Sequence, residues 1–319
     1  MKYPLHLLGA LLMLCTSAAA QTTRPLPQVD HVLIVSIDGL RPDVLLRAQT
    51  PILHKLIDTG CFSFWAQTIP MAITLPSHVS MLTGVGVEKH GIDFNDERAT
   101  TRPIYPNAVT LFELAKKAGY TTALVSGKSK FAALAKPGSV DWFSAPDDPK
   151  TTDANVSDHA GAILRLHKPN VMFVHFPGAD NVGHAKGWGT PEQFAAVEQI
   201  DEDLGMLLNA LQTSGLADST IIIVSADHGG SGRQHGADDL RSLHIPWIIN
   251  GPGIRKNFDL TLYRDLTVHT TDTFATACYI LGIDPPDGIE GKAIRQAFES
   301  NELLRDAKPR KSPTTQQHL

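Results

Sequence analysis

Three aspartates and three histidines stand just after some of the most apolar segments of this 319-residue chain. Carboxylate oxygens and imidazole nitrogens are the ligands that zinc and related divalent transition metals prefer in proteins. Each residue taken alone has an ordinary explanation, because loop aspartates often form turns and loop histidines are usually solvated. The six candidates are Asp38, Asp180, His184, Asp227, His228 and His235.

A threonine near the start of a predicted short helix is the candidate nucleophile. Residues 68–95 are mostly apolar or small, and they include Pro76, a residue type favoured in the first turn of a helix. A hydroxyl at such a helix start faces unpaired backbone N–H groups and the positive end of the helix dipole, so the place can hold an anion. Thr74 occupies that position, ahead of Pro76. The ordinary alternative is that Thr74 and Ser77 only cap the helix.

Alternating apolar and amphipathic segments predict the elements that would position these groups. Continuous apolar runs are typical of strands buried on both faces, and capping residues and helical periodicity mark the segments between them. Strands are predicted over 31–37, 121–126, 171–176, 221–224 and 245–249, and helices over 42–58, about 76 onward, 109–118, 153–168, 190–211 and 270–281.

This alternation predicts the α/β class, with one domain built on a doubly wound, mainly parallel sheet and helices on both faces. Such a sheet binds its ligand at the carboxyl ends of its strands, so the six candidate ligands should converge at one edge. One zinc takes only three or four protein ligands. The six candidates therefore imply two metal ions.

The motifs in combination resemble the alkaline phosphatase superfamily. The resemblance is to the branch of type I phosphodiesterases/nucleotide pyrophosphatases and of bacterial alkaline phosphatases that use a threonine nucleophile, and it covers nearly all of the chain beyond residue 20. It implies an alkaline-phosphatase-like fold. The motifs that carry it are SIDGLRPD with Asp38, TLPSH with Thr74, HGIDFN with Asn95, GADNVGH with Asp180 and His184, ADHGG with Asp227 and His228, and HGADDLRSLHIPWIINGPG with His235.

The resemblance implies hydrolysis of phosphoric esters through a covalent phospho-threonine intermediate at two zinc ions. Thr74 would be the nucleophile, and Asn95 would hydrogen-bond a phosphoryl oxygen. The implied ligands of one ion are Asp38, Asp227, His228 and Thr74, and those of the other are Asp180, His184 and His235.

A pair of lysines bears on which ester is cleaved. Threonine-type monoesterases of this superfamily place a Lys-x-Arg pair on the phosphoryl oxygens, and Lys128 and Lys130 fall in the matching region with lysine in place of arginine. A second cation suits a dianionic monoester better than a monoanionic diester, although lysine cannot reproduce the bidentate fork of arginine. The sequence thus favours phosphate monoesters, with diesters or pyrophosphates as the alternative. The ordinary alternative for both lysines is a solvated helix start.

The sequence gives weaker support to two further functions. Sulfatases of the superfamily need a cysteine or serine in a Cys-x-Pro-x-Arg setting, and the threonine of TLPSH cannot be converted to their aldehyde. A non-catalytic secreted module that binds metal or phosphate is the remote alternative, and the joint presence of six ligands and a nucleophile argues against it.

Other residues near the motifs are expected to have ordinary roles. His78 and His90 could support the metal ligands, but packing or capping is the expected role of both. Trp188 and Phe94 could line a pocket for the leaving group.

The composition and residues 1–20 predict an exported protein whose main partner is not nucleic acid, and the resemblance implies a small phosphate ester as its substrate. A formal net charge of −5 without any lysine or arginine run argues against nucleic acid as the main partner. Residues 1–20 combine Lys2, an apolar core and small residues before Gln21, which predicts a signal peptide and export to the periplasm or beyond. No later apolar run is long enough to span a bilayer.

The remaining chain divides into a predicted catalytic domain, residues 21–305, and a polar, disordered tail, residues 306–319. Cys61 and Cys278 are the cysteines left after cleavage of the signal peptide, and both lie in apolar surroundings. They are expected to be buried, unpaired thiols rather than a disulfide.

Overall fold

A sheet of eight strands is the frame of the protein. The computed structural model describes residues 24–96, 103–145, 151–236 and 239–299. The strands are β1 (His31–Ile37), β2 (Cys61–Gln67), β3 (Thr122–Ser126), β4 (Trp142–Ser144), β5 (Val171–Phe176), β6 (Thr220–Ser225), β7 (His244–Asn250) and β8 (Phe258–Asp259). Their order across the sheet is β4-β3-β5-β1-β6-β7-β2-β8.

The sheet is mainly parallel, as the sequence predicted. Strand β1 pairs in parallel with β5 on one side and β6 on the other, and β3 pairs in parallel with β4 and β5. Only β7 runs against its neighbours β6 and β2 among the described pairings. Because the three central strands are buried along almost their whole length, each reads in the sequence as a continuous apolar run.

Helices cover both faces of this sheet and complete an alkaline-phosphatase-like α/β fold. The described helices are α1 (Pro42–Arg47), α2 (Pro51–Asp58), α3 (Thr74–Thr83), α4 (Val87–His90), α5 (Leu111–Lys117), α6 (Asp153–His167), α7 (Gly178–Lys186), α8 (Pro191–Thr213), α9 (Leu240–Leu243) and α10 (Asp272–Leu281). Short 3₁₀ turns, among them Ser129–Leu134, join several of them.

The structure corrects the prediction of one helix over 42–58. Two helices stand there, because Pro51 lacks a backbone N–H and disfavours helical geometry in the residue before it. Thr50 accordingly leaves the helical region, with φ −118° and ψ 70°. Pro51 then occupies the first turn of α2, where its missing N–H costs nothing.

Two further differences concern the elements beside the candidate site. No helix is predicted over 178–186, but this segment forms helix α7, and helix α3 begins at Thr74 rather than near Pro76. Strand β2 was not predicted, because buried residues are interrupted by partly buried ones and Trp65 has 65 % of its surface exposed. It lacks the unbroken apolar run that marks the central strands.

Cys61 and Cys278 are both buried and unpaired, as expected. Burial raises the pKa of each thiol to about 12, so neither is a reactive thiolate near neutral pH. Within the parts of the chain that the structure describes, no helix is both long and apolar enough to cross a membrane. The predicted signal peptide and the predicted tail lie outside the described residues.

Helix α8 stabilises the start of helix α2 through one buried carboxylate. Asp201 accepts hydrogen bonds from the backbone N–H groups of Ile52 (2.9 Å) and Leu53 (2.7 Å). These are two of the N–H groups that a helix start leaves without intrahelical partners. Asp201 therefore acts as the N-terminal cap of α2, whose own N-cap residue makes no side-chain hydrogen bond.

We expect Asp201→Ala to lower the free energy of unfolding by roughly 2 kcal/mol, because two buried donors lose their acceptor. Asp201→Asn keeps one acceptor oxygen, so its loss should be about half as large. Urea denaturation of the two variants beside the wild type measures both values. Equal stability of the alanine variant and the wild type would contradict the capping role.

Candidate metal centres and nucleophile

The carboxyl ends of the three central strands carry the predicted ligands. Asp38 follows β1 directly, Asp227 follows β6, and Asp180 lies in the first turn of α7, which follows β5. Since β5, β1 and β6 are neighbours in the sheet, the three carboxylates meet at one edge. The structure brings the six predicted ligands together there as two groups of three.

The first group, called here the Asp38 cluster, consists of Asp38, Asp227 and His228 and is completely buried. His228 Nε2 lies 3.2 Å from Asp227 Oδ2 and 3.5 Å from Asp38 Oδ1. Ligand atoms around a tetrahedral zinc lie roughly 3.3 Å from one another. The spacing of these atoms therefore suits a shared metal ion.

The second group, called here the Asp180 cluster, consists of Asp180, His184 and His235. Asp180 Oδ1 lies 3.3 Å from His184 Nε2 and 3.7 Å from His235 Nε2, and the two imidazole nitrogens are 3.1 Å apart. This cluster opens to solvent, because the side chain of His184 is 41 % exposed. Its three atoms have the same mutual spacing as those of the Asp38 cluster.

The atoms that face one another in the clusters lack other partners. Among the described residues, six buried side-chain atoms have no hydrogen bond, and four of them are Asp38 Oδ1, Asp180 Oδ1, Asp227 Oδ2 and His228 Nε2. Buried polar atoms without a partner are costly, so they are rare in native proteins. Bound divalent cations would satisfy all four, and the donor set fits ions of the zinc type.

Each histidine of the clusters is held in the orientation that presents Nε2. The Nδ1 atoms face backbone carbonyl oxygens: His184 that of Arg233 (3.0 Å), His228 that of Gly229 (2.9 Å) and His235 that of Ala72 (2.8 Å). An Nδ1–H group that donates to a carbonyl leaves Nε2 as the metal-binding nitrogen.

Each aspartate likewise uses its second oxygen for a protein donor. Asp227 Oδ1 accepts the backbone N–H of Gly39 (3.1 Å). Asp38 Oδ2 and Asp180 Oδ2 both accept from the Lys128 ammonium, at 2.6 Å and 2.7 Å. Lys128 thus joins one carboxylate from each cluster.

The charge balance of the site also favours cations. Burial alone would raise the pKa of Asp38, but Lys128 and a neighbouring histidine hold it well below its ordinary value. Burial and the charges of Asp38 and Asp180 raise the pKa of Asp227 well above its ordinary value. Three buried carboxylates therefore share too little positive charge, a deficit that divalent ions would remove.

The predicted nucleophile Thr74 is buried and opens helix α3, and its segment contacts residues of both clusters. The carbonyl oxygen of Thr74 lies 2.7 Å from Nδ1 of His78, and the same Nδ1 is 3.5 Å from Asp227 Oδ2. Two residues earlier, the carbonyl of Ala72 accepts from His235. His78 thus packs beside Asp227 and bonds the Thr74 carbonyl, which agrees with the packing or capping role expected of it.

Asn95 and Lys130 lie beside the start of helix α3. Asn95 Oδ1 accepts the backbone N–H of Leu75 (2.9 Å), which makes its amide nitrogen the donor end. The Lys130 ammonium donates to the backbone carbonyl of Asn95 (2.6 Å). The alternative that Lys128 and Lys130 are solvated is wrong, because 16 % of the Lys128 side chain and 9 % of Lys130 are exposed.

Sequence reasoning missed one residue that supports the ligands. His175 lies inside β5, and its Nε2 is 3.0 Å from Asp38 Oδ2. A lone histidine in the buried run VMFVHF was the available signal. Trp188 does not line an open pocket, because it is 7 % exposed.

The indole of Trp188 packs onto glycines from all three ligand-bearing segments. Its N–H donates to the carbonyl of Gly39 (2.9 Å). A Cβ atom on Gly39, Gly183 or Gly230 would lie 3.2, 2.6 or 2.4 Å from the ring. Because these glycines adjoin Asp38, His184 and the Asp227–His228 pair, Trp188 fixes the segments relative to one another.

Comparison with known proteins assigns the chain to a family. The family model of type I phosphodiesterase/nucleotide pyrophosphatase matches residues 32–246. Human ectonucleotide pyrophosphatase/phosphodiesterase family member 5 is 24 % identical over 221 residues, 64 % of this chain and 45 % of that protein. The catalytic subunit of human GPI ethanolamine phosphate transferase 2 is 24 % identical over 296 residues, 88 % of this chain and 29 % of that protein. The chain spans about half or less of these relatives.

Solved structures share the fold. The murine ectonucleotide pyrophosphatase/phosphodiesterase 5, an inactive threonine-to-alanine variant in complex with AMP, superimposes with a TM-score of 0.69 at 18 % identity. The match covers 81 % of this chain and 96 % of that one.

We expect Gly230→Ala to lower the free energy of unfolding by roughly 1–3 kcal/mol, because the new Cβ overlaps the Trp188 ring. Trp188→Leu alone should also destabilise the protein. In the double variant, however, the smaller leucine removes the overlap with the new Cβ. The double variant should therefore lose less than the sum of the two single losses, by about 1 kcal/mol. Urea denaturation of the four proteins measures this coupling, and strictly additive losses would contradict the packing role of Trp188.

Proposed function

The chain belongs to the type I phosphodiesterase/nucleotide pyrophosphatase family, and we propose that it hydrolyses phosphoric esters with two divalent metal ions and Thr74 as the nucleophile. The observation that carries this proposal is the pair of three-ligand clusters, whose facing atoms include four buried ones without a hydrogen bond. The Thr74 segment lies against both of them, because His78 of the same helix is 3.5 Å from Asp227 and the Ala72 carbonyl accepts a hydrogen bond from His235.

The Asp38 cluster, with Thr74, would hold one ion, and the Asp180 cluster would hold the other. Zn²⁺ suits their mixed oxygen and nitrogen donors and their spacing. When bound, such ions would supply Lewis-acid charge that lowers the pKa of the threonine hydroxyl and stabilises the leaving oxygen.

The remaining steps use this chain's own groups. Thr74 Oγ1 forms a bond to phosphorus while the ester P–O bond breaks, and water then cleaves the phospho-threonine to release phosphate. Asn95 donates its amide N–H to a non-bridging oxygen, and its Oδ1 is anchored on Leu75 so that the amide is already oriented. The murine relative, inactive as a threonine-to-alanine variant, supports the assignment of the nucleophile.

We propose phosphate monoesters as the preferred substrates. The ammonium of Lys128 lies between one carboxylate of each cluster, where it would meet a phosphoryl group that spans both ions. Lys130 brings a second ammonium to Asn95, the proposed clamp on the phosphoryl oxygen. Two cations beyond the metal ions suit the dianion of a monoester better than a diester monoanion.

A phosphodiesterase or nucleotide pyrophosphatase is the second candidate. Relatives carry these activities in their names, and the murine structure holds AMP. A diester needs room for a second substituent on phosphorus, and the exposure of His184 leaves the Asp180 cluster open on that side. Kinetic comparison decides between the two candidates.

Thr74→Ala should bind the same two equivalents of zinc as the wild type but lose at least about 10³-fold in kcat, because no group remains to form the covalent intermediate. Thr74→Ser keeps a hydroxyl and should retain a measurable part of the rate. Elemental analysis of the dialysed proteins and turnover of an aryl phosphate test both statements. Near-normal turnover by Thr74→Ala would refute the nucleophile.

Lys128→Ala should lower kcat/KM for an aryl phosphate monoester about 100-fold, the loss of one charged hydrogen bond to the substrate. Hydrolysis of the matching diester should change less than about threefold. Both are measured at saturating zinc, so that any loss of metal is excluded. Lys136→Ala, which removes an exposed ammonium paired with Glu113, is the matched control. Equal losses of kcat/KM on both esters would contradict the proposed preference for monoesters.

A further inference from the structure

A row of four polar residues crosses neighbouring strands of the sheet near their carboxyl ends. The strand register places Ser126 of β3 beside His175 of β5, His175 beside Ser36 of β1, and Ser36 beside Ser225 of β6. All four residues are completely buried. Apolar residues would fill these positions at lower cost, because a buried polar group needs a hydrogen-bond partner. The row lies at the strand ends, directly beneath the candidate metal centres.

His175 is the member of this row that reaches a predicted ligand. Its Nε2 lies 3.0 Å from Asp38 Oδ2, and its Nδ1 lies 3.2 Å from the hydroxyl of Ser126. A neutral imidazole has one donor and one acceptor nitrogen. An ionised carboxylate can only accept, so the proton of His175 lies on Nε2 and Nδ1 is the acceptor, which the Ser126 hydroxyl reaches while also lying 3.1 Å from the Lys128 carbonyl.

The imidazole ring of His175 is held by packing as well as by hydrogen bonds. The Phe131 ring lies 4.3 Å away between centroids, and the His78 ring packs edge-on at 5.0 Å. Ser36 lies 2.7 Å from Nε2 of His78, so the neighbouring ring is fixed too. The donor on Asp38 therefore has little freedom to turn away.

We propose that His175 is a positioning residue: its Nε2–H holds Asp38 Oδ2 and thereby leaves Asp38 Oδ1 as the single oxygen that binds metal. The inference rests on the proposed function, because it takes the Asp38 cluster as a metal site. Asp38 Oδ1 is the oxygen without a hydrogen bond, and it faces His228.

Lys128 alone cannot fix the orientation of the Asp38 carboxylate. Its ammonium is shared between Asp38 and Asp180, and in the proposed reaction it also binds a phosphoryl oxygen of the substrate. Its bonds to the carboxylates must then change during each turnover. His175 is confined to the sheet, so its bond to Asp38 persists through the cycle.

The test compares His175→Gln, His175→Asn and His175→Leu by zinc titration against a competing chelator. Gln places an N–H near the position of Nε2, whereas Asn places it near Nδ1 and Leu has none. We expect the Gln variant to keep its zinc affinity within about threefold of the wild type. The Asn and Leu variants should bind one of the two ions 10- to 100-fold more weakly. Repeating the series in a His184→Ala background, where the Asp180 cluster is damaged, assigns the affected ion to the Asp38 cluster.

Equal zinc affinity of the Gln and Leu variants would overturn the proposal, as would loss confined to the Asp180 cluster. His90→Leu is the matched control: His90 is also buried and bonded to a serine, Ser80, but touches no predicted ligand, so zinc affinity should be unchanged. If His175→Leu does not fold, as judged by circular dichroism of the zinc-free protein, Ser126→Ala replaces it, with an expected loss of about 3- to 10-fold. A wild type that binds two zinc ions but hydrolyses no phosphate ester would refute the proposed function, while the titration still decides the role of His175.

Discussion

Mutual repulsion of three buried carboxylates is the constraint on which this structure depends. Asp38, Asp180 and Asp227 meet at the carboxyl ends of adjacent strands, where little water can screen their charges. One ammonium, that of Lys128, bonds to two of them. The pKa of Asp38 is lowered and that of Asp227 is raised in consequence, so the site as built from protein groups alone is short of positive charge.

The surrounding architecture keeps these charges close despite their repulsion. Parallel pairing of β1 with β5 and β6 fixes the distances between the strand ends, and the Trp188 indole packs against a glycine of each following segment. Backbone carbonyls orient the imidazoles, and a buried histidine in β5 holds one carboxylate. Rigid elements thus position ligand atoms that would otherwise move apart.

Much of this arrangement could be predicted from the sequence, because the central strands are buried on both faces. Strands β1 and β5 were predicted with their observed bounds. The carboxylates of Asp38, Asp180 and Asp227 were expected at the carboxyl edge of the sheet. The rest depends on contacts that local sequence does not encode. Strand β2 has no continuous apolar run, and the partners of Lys128 come from segments 52 and 90 residues away. The contact between His175 and Asp38 can be recognised only once β5 is known to lie beside β1.

The unequal exposure of the two clusters has a kinetic consequence. Every member of the Asp38 cluster is completely buried, whereas His184 gives the Asp180 cluster an open side. An ion held by the Asp38 cluster, the inner position, could leave only if the segments around it part. An ion held by the Asp180 cluster, the outer position, could exchange with solvent by the movement of one imidazole. Ions in the two positions would therefore exchange at different rates, and a chelator would strip the outer ion first, leaving a half-loaded protein as a distinct and isolable form.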